Sequence, residues 1–403
     1  MIRLGLIGCG SVVKNSYVEA YREIMSKNPN IFEVAATCDA DEERARSIAG
    51  QIALFQRGSS PRVYTDYKRM LETEPLDAVS VAVPHFAHHE VSIYALNAGL
   101  HVLVEKPFAI TIKAGKKMIE AAERNGRVLA CVHPVRRKVA SRIIYWIVNK
   151  ANLIGKPRFF FYQRVWNTMG VLVGTPWRYQ KIKAGGGWVL DGEVHYVDFL
   201  RMVFGEVAEV YAKTRNFEPV RYLDSEKLAN PVSSDVEDVA FATLTFESGL
   251  IGFLAWSNLA AGEANVIIKE PLLERYYGSE ASIDYTGYGR NIPEKVEVRN
   301  KDGTRISNDE LQKRFMESLS EEEKSRLFPL GITNFYAISF YDFLDSIINK
   351  RSPEVSGKEA LASQTICEAI YESSVKGQPV NVKDVLDERI DTYQREINEY
   401  WKI

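Results

Sequence analysis

The chain opens with a short apolar strand that runs directly into two glycines. The strand covers Ile2 to Ile7, Gly8 and Gly10 follow, and a helical pattern with one apolar face extends from Tyr17 to Met25. Glycines permit a tight turn and a close ligand approach, and the free amides at a helix N-terminus attract phosphate charge. The pattern predicts the first βαβ unit of a dinucleotide-binding sheet. Val13 stands at the third glycine position of the G-x-G-x-x-G dinucleotide-binding fingerprint. Its side chain is expected to push helix and strand slightly apart without touching the phosphates.

The second strand of this unit, Phe32 to Cys38, ends in an acidic residue. Asp39 comes 29 residues after Gly10, and a long first helix accounts for the spacing. A carboxylate at this place hydrogen-bonds a ribose 2′-hydroxyl and repels a 2′-phosphate. The alternative is a residue that caps the helix starting near Asp41, and one side chain could serve both purposes.

Further strands alternate with helices along the first third of the chain. Apolar runs at Ala78 to Val83, His101 to Val104 and Val128 to Val132 read as buried strands. Such alternation predicts a doubly wound parallel sheet, whose ligands bind at the carboxyl ends of the strands. Pro84 and Lys106 follow two of these ends, as Gly8 and Asp39 follow two others. A lysine there needs a partner; the alternative to a functional role is a structural ion pair with Glu105.

A glycine-rich stretch in the middle of the chain, GGGWVLDGEVHYVD, covers Gly185 to Asp198. It places Asp191 four residues before His195, about one turn apart on a helix face. A carboxylate beside an imidazole suits proton transfer near neutral pH. The alternative is a glycine turn into a helix whose aspartate and histidine only cap or pair.

The second half of the chain carries a run of strands in succession. A glycine turn between two of them gives a hairpin, so an antiparallel sheet and an α+β domain are expected. Two polar segments, 216–235 and 291–327, are interpreted as surface insertions or as a lid, and capping boxes at Ser307 and Ser320 predict two helix starts in the second. A last helix is predicted from Val385 to Trp401, packed on its own domain or on another subunit. The predicted strands are Arg158 to Arg164, Val207 to Thr214, Val239 to Phe246 and Leu250 to Asn258.

Composition narrows the class of protein. A length of 403 residues suggests two domains, and a net charge of −2 argues against nucleic acid or membrane surfaces as partners. The four cysteines lack metal or disulfide spacing and indicate a reducing compartment. With no signal peptide and no bilayer-length apolar run, a cytoplasmic location is expected.

The ordered motifs resemble one known family. They are GLIGCG, CDA, PHFAH, VLVEKP, WRYQKIKAGGG, LDGEVHYVD and YESSVKGQPV. This set is similar to the Gfo/Idh/MocA oxidoreductases, which act on sugars, polyols and related compounds with a nicotinamide cofactor. The resemblance covers the chain from Ile2 to about Val382, and the combination of EKP with GGG-x-x-x-D-x-x-x-H is its specific part.

The resemblance implies a catalytic set of Lys106, Asp191 and His195. It implies a homodimer or homotetramer that uses one face of the second sheet, and a small sugar or polyol as the substrate. NAD is expected over NADP, because Asp39 repels a 2′-phosphate. The residues expected to bind the cofactor are Gly8, Cys9, Gly10, Ser11, Val12, Asp39, Pro84, His88, Glu105 and Lys106.

One aromatic residue and one basic residue precede the glycines. Trp177 could stack on a sugar face and Arg178 could donate to hydroxyls, so both are expected to bind substrate with the catalytic set. The alternative is packing under the glycine turn. Glu193 replaces the small residue of the usual D-x-G-x-H pattern, and it is interpreted either as a helix-surface carboxylate or as a group that faces the substrate.

The expected fold class is α/β, a Rossmann-type doubly wound parallel sheet followed by an α+β domain on a mostly antiparallel open sheet. Expected boundaries are 1–133 for the dinucleotide-binding domain, 134–383 for the second domain and 384–403 for a C-terminal helix. Within the second segment, helices 335–374 pack back toward the first domain, as the resemblance implies. Two other functions stay open, namely an NAD-retaining glycosidase and a sugar- or dinucleotide-sensing regulator.

A cluster of histidines follows Pro84. His85, His88 and His89 with Glu90 could suggest a metal, but a divalent site needs three or four convergent ligands and no second cluster is evident. No metal is expected, and His88 is placed on the first turn of its helix near the cofactor, as the resemblance implies.

Overall fold

The computed structural model describes residues 1–168, 175–223, 230–259, 273–286 and 294–403. Contacts divide the chain into two compact units. The first unit is Met1–Lys138 with Glu321–Ala362, and the second is Val139–Ser320 with Ser363–Ile403. The chain therefore passes from the first unit into the second, returns to the first, and ends in the second. The boundaries 1–133, 134–383 and 384–403 stay a prediction.

Strands and helices alternate in the N-terminal third and are mixed afterwards. The strands are β1 (Ile2–Ile7), β2 (Phe32–Cys38), β3 (Arg62–Tyr64), β4 (Ala78–Val81), β5 (His101–Val104), β6 (Leu129–Cys131), β7 (Pro157–Val165), β8 (Val207–Arg215), β9 (Val220–Arg221), β10 (Val232–Ser233), β11 (Val239–Phe246), β12 (Ile251–Ser257), β13 (Leu273–Gly278), β14 (Ala281–Thr286), β15 (Lys295–Asn300), β16 (Arg305–Ile306) and β17 (Val380–Asn381). The helices are α1 (Val18–Lys27), α2 (Glu42–Ala53), α3 (Tyr67–Thr73), α4 (His88–Asn97), α5 (Ile112–Asn125), α6 (Val139–Asn149), α7 (Lys181–Ala184), α8 (Trp188–Asp191), α9 (Val194–Phe204), α10 (Asn308–Ser318), α11 (Glu321–Leu327), α12 (Phe335–Ile348), α13 (Gly357–Lys376), α14 (Val382–Leu386) and α15 (Arg395–Trp401).

The first unit is built on a six-stranded parallel sheet. Its strand order is β3-β2-β1-β4-β5-β6, and each neighbouring pair runs parallel. Strand order reverses beside β1, so the carboxyl ends of β1, β2, β4 and β5 share one edge around that switch point. The predicted doubly wound sheet is confirmed.

The first helix packs through the apolar face that the sequence predicts. Tyr17, Val18, Tyr21, Ile24 and Met25 are all buried. The helix begins with a wide π-type turn, Val13–Tyr17, in which Val13 is fully buried. A wide turn leaves room for a side chain larger than glycine or alanine at the third fingerprint position.

The second unit is built on a nine-stranded mixed sheet. Its order is β16-β15-β14-β13-β7-β12-β11-β8-β17, and β7 with β12 is the parallel pair within an otherwise antiparallel ladder. The predicted α+β architecture on a mostly antiparallel sheet is confirmed. Alternate residues of β7, β11 and β12 are buried, as expected for a sheet with one covered face.

The prediction of one continuous C-terminal helix from Val385 to Trp401 is wrong. Helix α14 stops at Leu386, and α15 begins only at Arg395. Glu388 lies between them with φ of 59°, outside the helical region, and the amide of Ile390 reaches back to the carbonyl of Asp384. Periodic spacing alone did not reveal this break, because the amides of Glu388, Arg389 and Ile390 turn back to carbonyls of α14 while the apolar spacing continues.

The two polar segments are described only in part, since 224–229 and 291–293 lie outside the described residues. In the first segment β9 pairs with β10. In the second, Ser307 caps α10 by accepting from the amide of Glu310, and α11 follows Ser320 as predicted. In the part of the chain that the structure describes, no helix is long and apolar enough to cross a membrane.

Candidate active site

The glycine loop after β1 has two glycines with different duties. Gly8 has φ of +91°, and a Cβ on it would collide with the carbonyl of Ala82. A Cβ on Gly10 would meet no atom within 4 Å, so the backbone there faces open space. An open approach to backbone amides after a tight turn is what a dinucleotide pyrophosphate requires. The loop therefore fits the expected cofactor.

Asp39 is held rigidly beside this loop. Its Oδ2 accepts from the amide of Cys9 at 2.7 Å, and its Oδ1 accepts from the amide of Asp41 at 2.9 Å. Asp41, rather than Asp39, is the N-cap of α2. Each carboxylate oxygen has a second lone pair. The carboxylate therefore braces the loop and keeps acceptor capacity for a ribose hydroxyl.

The ends of β4 and β5 place the other predicted residues of the first unit. Glu105 is buried, and its carboxylate accepts from the hydroxyl of Tyr17 on the first helical turn. Lys106 is partly exposed directly after it. Pro84 precedes a 3₁₀ turn at His85–Ala87. Glu105 thus links β5 to the glycine-loop helix through Tyr17, which sequence reasoning did not anticipate.

The imidazole of His88 is fully buried rather than open to a ligand. Its Nδ1 lies 2.8 Å from the carbonyl of Pro107, and its Nε2 lies 2.9 Å from the carbonyl of Val83. Burial lowers the pKa of His88 to about 3, and the neighbouring His85 adds to that shift. Both ring nitrogens face backbone carbonyls, so a structural role describes His88 better than the predicted contact with the cofactor.

In the second unit the glycine-rich stretch forms two consecutive helical pieces, so Asp191 and His195 do not lie on one uninterrupted helix. Asp191 is the last residue of α8 and His195 lies in the first turn of α9. The break falls at Gly192, where a Cβ would collide with the indole of Trp188. The amide of Glu193 still donates a hydrogen bond to the carbonyl of Trp188, which links the start of α9 to the first residue of α8.

The interpretation of Glu193 as a surface carboxylate is wrong. Its side chain is fully buried; its Oε1 accepts from Trp188 Nε1 at 2.9 Å and lies 3.7 Å from Nη1 of Arg164. Burial raises the pKa of this carboxyl, and the nearby arginine opposes the rise. Nor does Glu193 line the cavity that contains Asp191, so the alternative in which it faces a substrate is not supported either.

Of the two residues predicted to bind substrate ahead of the glycines, Arg178 lies beside Asp191, and Trp177 lies against Arg178. Arg178 Nη1 is 3.7 Å from Oδ2 of Asp191, and its guanidinium lies over the ring of Trp177 at 4.5 Å. Both residues belong to a 3₁₀ turn, Pro176–Tyr179. The guanidinium therefore couples an aromatic face to the carboxylate of the glycine-rich motif.

A cavity of about 130 Å³ opens beside this group of residues. Its described walls combine tryptophan faces with charged and polar groups. The lining residues that matter here are Trp166, Arg178, Trp188, Asp191, Glu237 and Trp256. The three indoles lie against one another, with ring centroids 5.2 to 6.3 Å apart. Such a wall offers stacking surfaces and hydrogen-bonding partners together.

Sequence reasoning missed four contributors to this wall, Trp166, Trp188, Glu237 and Trp256. Glu237 belongs to the acidic pair directly before the half-buried strand β11, and Trp188 stands inside the glycine motif itself. An acid next to a buried strand, or a tryptophan after three glycines, was a usable signal in each case. Their importance became visible only from the tertiary contacts.

A larger cavity, about 660 Å³, lies in the first unit and is lined by His101, Arg127 and Lys350 among others. It is at the amino end of β5, the edge opposite to the one that binds ligands in such sheets. It is therefore not the candidate active site. Among the residues described, no group of three or more His, Cys, Asp or Glu side chains could hold a metal ion.

The glycine loop and the braced Asp39 fit a nicotinamide dinucleotide, and the matches to known proteins identify the class of protein, an oxidoreductase. Two family models match the chain. Residues 2–133 match the oxidoreductase family with an NAD-binding Rossmann fold, and residues 148–283 match the GFO/IDH/MocA C-terminal domain. The chain belongs to the Gfo/Idh/MocA family.

Curated relatives span nearly the whole chain. D-apiose dehydrogenase of Paraburkholderia graminis is 28% identical over 382 residues, which are 94% of this chain and 89% of that protein. The 1,5-anhydro-D-fructose reductase of Ensifer adhaerens is 26% identical over 387 residues, 95% of this chain and 99% of that protein. A solved structure of levoglucosan dehydrogenase in complex with NADH and L-sorbose shares the fold, with a TM-score of 0.76 at 23% identity, covering 96% of this chain and all of that one (100%).

Proposed function

We propose that the protein transfers a hydride between NAD(H) and a secondary hydroxyl or ketone of a sugar, polyol or related polyhydroxylated compound. The cavity beside Asp191 carries the proposal, because tryptophan faces and an Arg178–Asp191 ion pair of 3.7 Å line the same wall. Aromatic faces stack on sugar rings, and carboxylate and guanidinium groups pair with hydroxyls. The names of the relatives, a D-apiose dehydrogenase and a 1,5-anhydro-D-fructose reductase, support the same substrate class.

NAD is the proposed cofactor in preference to NADP. Asp39 stands at the end of β2, where a carboxylate accepts from a ribose 2′-hydroxyl and repels a 2′-phosphate. Arg44 is the nearby cation that could attract that phosphate, but its Nε is 3.1 Å from Oδ2 of Asp41. One relative of the family is a scyllo-inositol 2-dehydrogenase named for NADP, so the choice of cofactor requires a direct test.

The proposed chemistry gives each of the three predicted catalytic residues its own role. When bound, the nicotinamide supplies the hydride-accepting or hydride-donating carbon. His195 removes the proton of the substrate hydroxyl during oxidation, and Asp191 orients its ring. Lys106 donates a hydrogen bond to the same oxygen and stabilises the developing negative charge.

The test is a screen of sugars and polyols with NAD and with NADP, read as net formation of NADH or NADPH. Oxidation of at least one polyhydroxylated compound supports the proposal. Hydrolysis of a glycoside without net NADH would instead identify an NAD-retaining glycosidase. Tight cofactor binding with no turnover of any compound would favour a sensing protein. Activity confined to simple aliphatic alcohols would contradict the substrate class.

We also propose a homodimer or homotetramer formed through the outward face of the second sheet. That face carries exposed apolar side chains on adjacent strands, and exposed patches of this kind mark interfaces. They are Phe159, Phe161, Tyr211, Phe241, Ile251 and Phe253. Light scattering should give the mass of an oligomer, and Phe161→Glu together with Phe253→Glu should give a folded monomer. A monomeric wild-type protein would contradict the proposal.

The proposed compartment is the cytoplasm. All four cysteines are buried free thiols, as a reducing environment allows. Cell fractionation with an antibody against the protein tests this location.

A further inference from the structure

The glycine-rich turn before Asp191 depends on side chains from elsewhere in the second unit. Helix α8 is only four residues long, and its N-cap, Gly187, has no side chain to satisfy the first amides. The first amides of a helix lack partners within it. Something outside the turn therefore has to accept hydrogen bonds from Gly187, Val189 and Leu190.

Glu237 and Tyr371 accept these hydrogen bonds. Oε2 of Glu237 accepts from the amide of Gly187 at 2.8 Å, and Oε1 accepts from the amide of Val189 at 2.9 Å. The hydroxyl of Tyr371 donates to Oε1 at 3.0 Å and accepts from the amide of Leu190 at 3.2 Å. Two side chains, one before β11 and one from α13, thus hold three amides of the turn.

Glu237 and Tyr371 together form a clamp on this turn, and both are buried against glycine backbone. Glu237 is 8% exposed and Tyr371 is 1% exposed. A Cβ on Gly187 would lie 2.6 Å from Oε2 of Glu237, and a Cβ on Gly186 would collide with the hydroxyl of Tyr371. The glycines are therefore required for the clamp to approach. Burial raises the pKa of Glu237 to about 7, and its backbone and hydroxyl donors oppose that rise.

We propose that Glu237 and Tyr371 are positioning residues that fix the glycine-rich turn and thereby the carboxylate of Asp191. This inference rests on the proposed function, since it assigns a purpose to a rigid Asp191. A displacement of a catalytic group by about 1 Å is enough to slow a reaction roughly 10²-fold. Neither residue is expected to exchange protons with the substrate, because their polar atoms are occupied by the turn.

The test compares Glu237→Gln and Tyr371→Phe with the matched control Glu368→Gln. The control removes another fully buried carboxyl of the same unit, one that hydrogen-bonds Gln364 on α13 and takes part in none of the four hydrogen bonds that Glu237 and Tyr371 form with the turn and with each other. Glu237→Gln places an amide donor opposite a backbone donor, and kcat should fall about 10²-fold with an unchanged KM for NAD. Tyr371→Phe removes two hydrogen bonds and should lower kcat about 25-fold, about fivefold for each bond. Glu368→Gln should keep kcat within twofold.

Amide hydrogen exchange of the same variants tests the clamp without any substrate. The amides of Gly187, Val189 and Leu190 should exchange faster in Glu237→Gln and Tyr371→Phe and unchanged in the control. Faster exchange in a protein that oxidises no sugar would support the clamp while the proposed function fails. Unchanged exchange at the turn would overturn the inference, as would faster exchange with unaltered kcat or an equal loss of kcat in the control.

Discussion

Trp188 donates a hydrogen bond of 2.9 Å from Nε1 to the carboxylate of Glu193, although the two residues flank Asp191 in the chain. The indole occupies the space above Gly192, and the carboxylate turns inward toward Arg164. One local contact thus accounts for both residues that follow Asp191, of which Glu193 is the departure from the usual D-x-G-x-H pattern. Residue 192 is glycine because the indole of Trp188 leaves no room for a Cβ. Residue 193 is acidic because its carboxylate accepts a hydrogen bond from that indole and lies near the guanidinium of Arg164.

Replacing Glu193 should destabilise the protein rather than alter its specificity. Glu193→Ala removes a carboxylate that lies 3.7 Å from the buried Arg164 and should lower the free energy of unfolding by about 3–5 kcal/mol. Glu193→Gln keeps an acceptor for Trp188 and should lose less. Urea denaturation measures both, with the exposed Glu247→Ala as control. A loss below about 1 kcal/mol for Glu193→Ala would contradict the buried pair.

A second buried carboxyl predicts how stability depends on pH. Burial raises the pKa of Glu274 from its usual 4.5 to about 8, with a hydrogen bond from Tyr276 opposing the shift. The folded state then retains a proton that the unfolded chain releases, so the free energy of unfolding falls as pH rises from 4.5 to about 8. Glu274→Gln should flatten this decline in urea titrations across that range. An unchanged slope would contradict it; the exposed Glu280→Gln is the control.

Cofactor preference should follow Asp39 and its neighbours. The wild type should use NAD better than NADP, and Asp39→Ala should narrow the gap while also raising KM for both, because the Cys9 amide loses its acceptor. Arg44→Ala should leave the preference unchanged, since Arg44 pairs with Asp41. Ratios of kcat/KM for the two cofactors measure each effect. Equal or better turnover of the wild type with NADP would reject this assignment.

Substitutions of the two loop glycines should have different effects, one on stability and the other on cofactor binding. Gly8→Ala places a side chain at φ of +91° against the carbonyl of Ala82 and should cost about 1–3 kcal/mol of stability. Gly10→Val should leave thermal unfolding nearly unchanged, because its Cβ meets open space, but it should weaken NADH binding at least about tenfold. Fluorescence titration and thermal denaturation separate the two. Retained binding in Gly10→Val would place the pyrophosphate elsewhere.

The catalytic assignments predict loss of turnover without loss of cofactor. His195→Ala and Lys106→Ala should each lower kcat about 10²–10⁴-fold while NADH still binds, because both groups act on the reacting oxygen. The exposed Lys350→Ala serves as a control for charge removal. Steady-state kinetics on the best sugar and NADH titrations give the comparison. Near-normal kcat in either variant would remove that residue from the mechanism.

Much of the first unit was predictable from local signals. An apolar strand such as Ile2–Ile7 has to be buried, and glycines at 8 and 10 mark the turn and the open approach wherever such a strand precedes a helix. The apolar face from Tyr17 to Met25 is equally local, and so is the cap at Ser307 in the second unit. For these elements the periodicity of side chains along the chain is itself the physical cause of the structure.

What the sequence by itself determined, then, is the order of strands and helices, the family and the identity of the candidate residues. Only the tertiary structure revealed that Glu193 is buried, that the ring of His88 faces backbone carbonyls and that the last helix is broken at Glu388. It also revealed the clamp by Glu237, whose partners lie about fifty residues away in the chain. The physical reason is that burial and hydrogen-bond partners come from distant segments, and a pattern read along the chain contains no record of them.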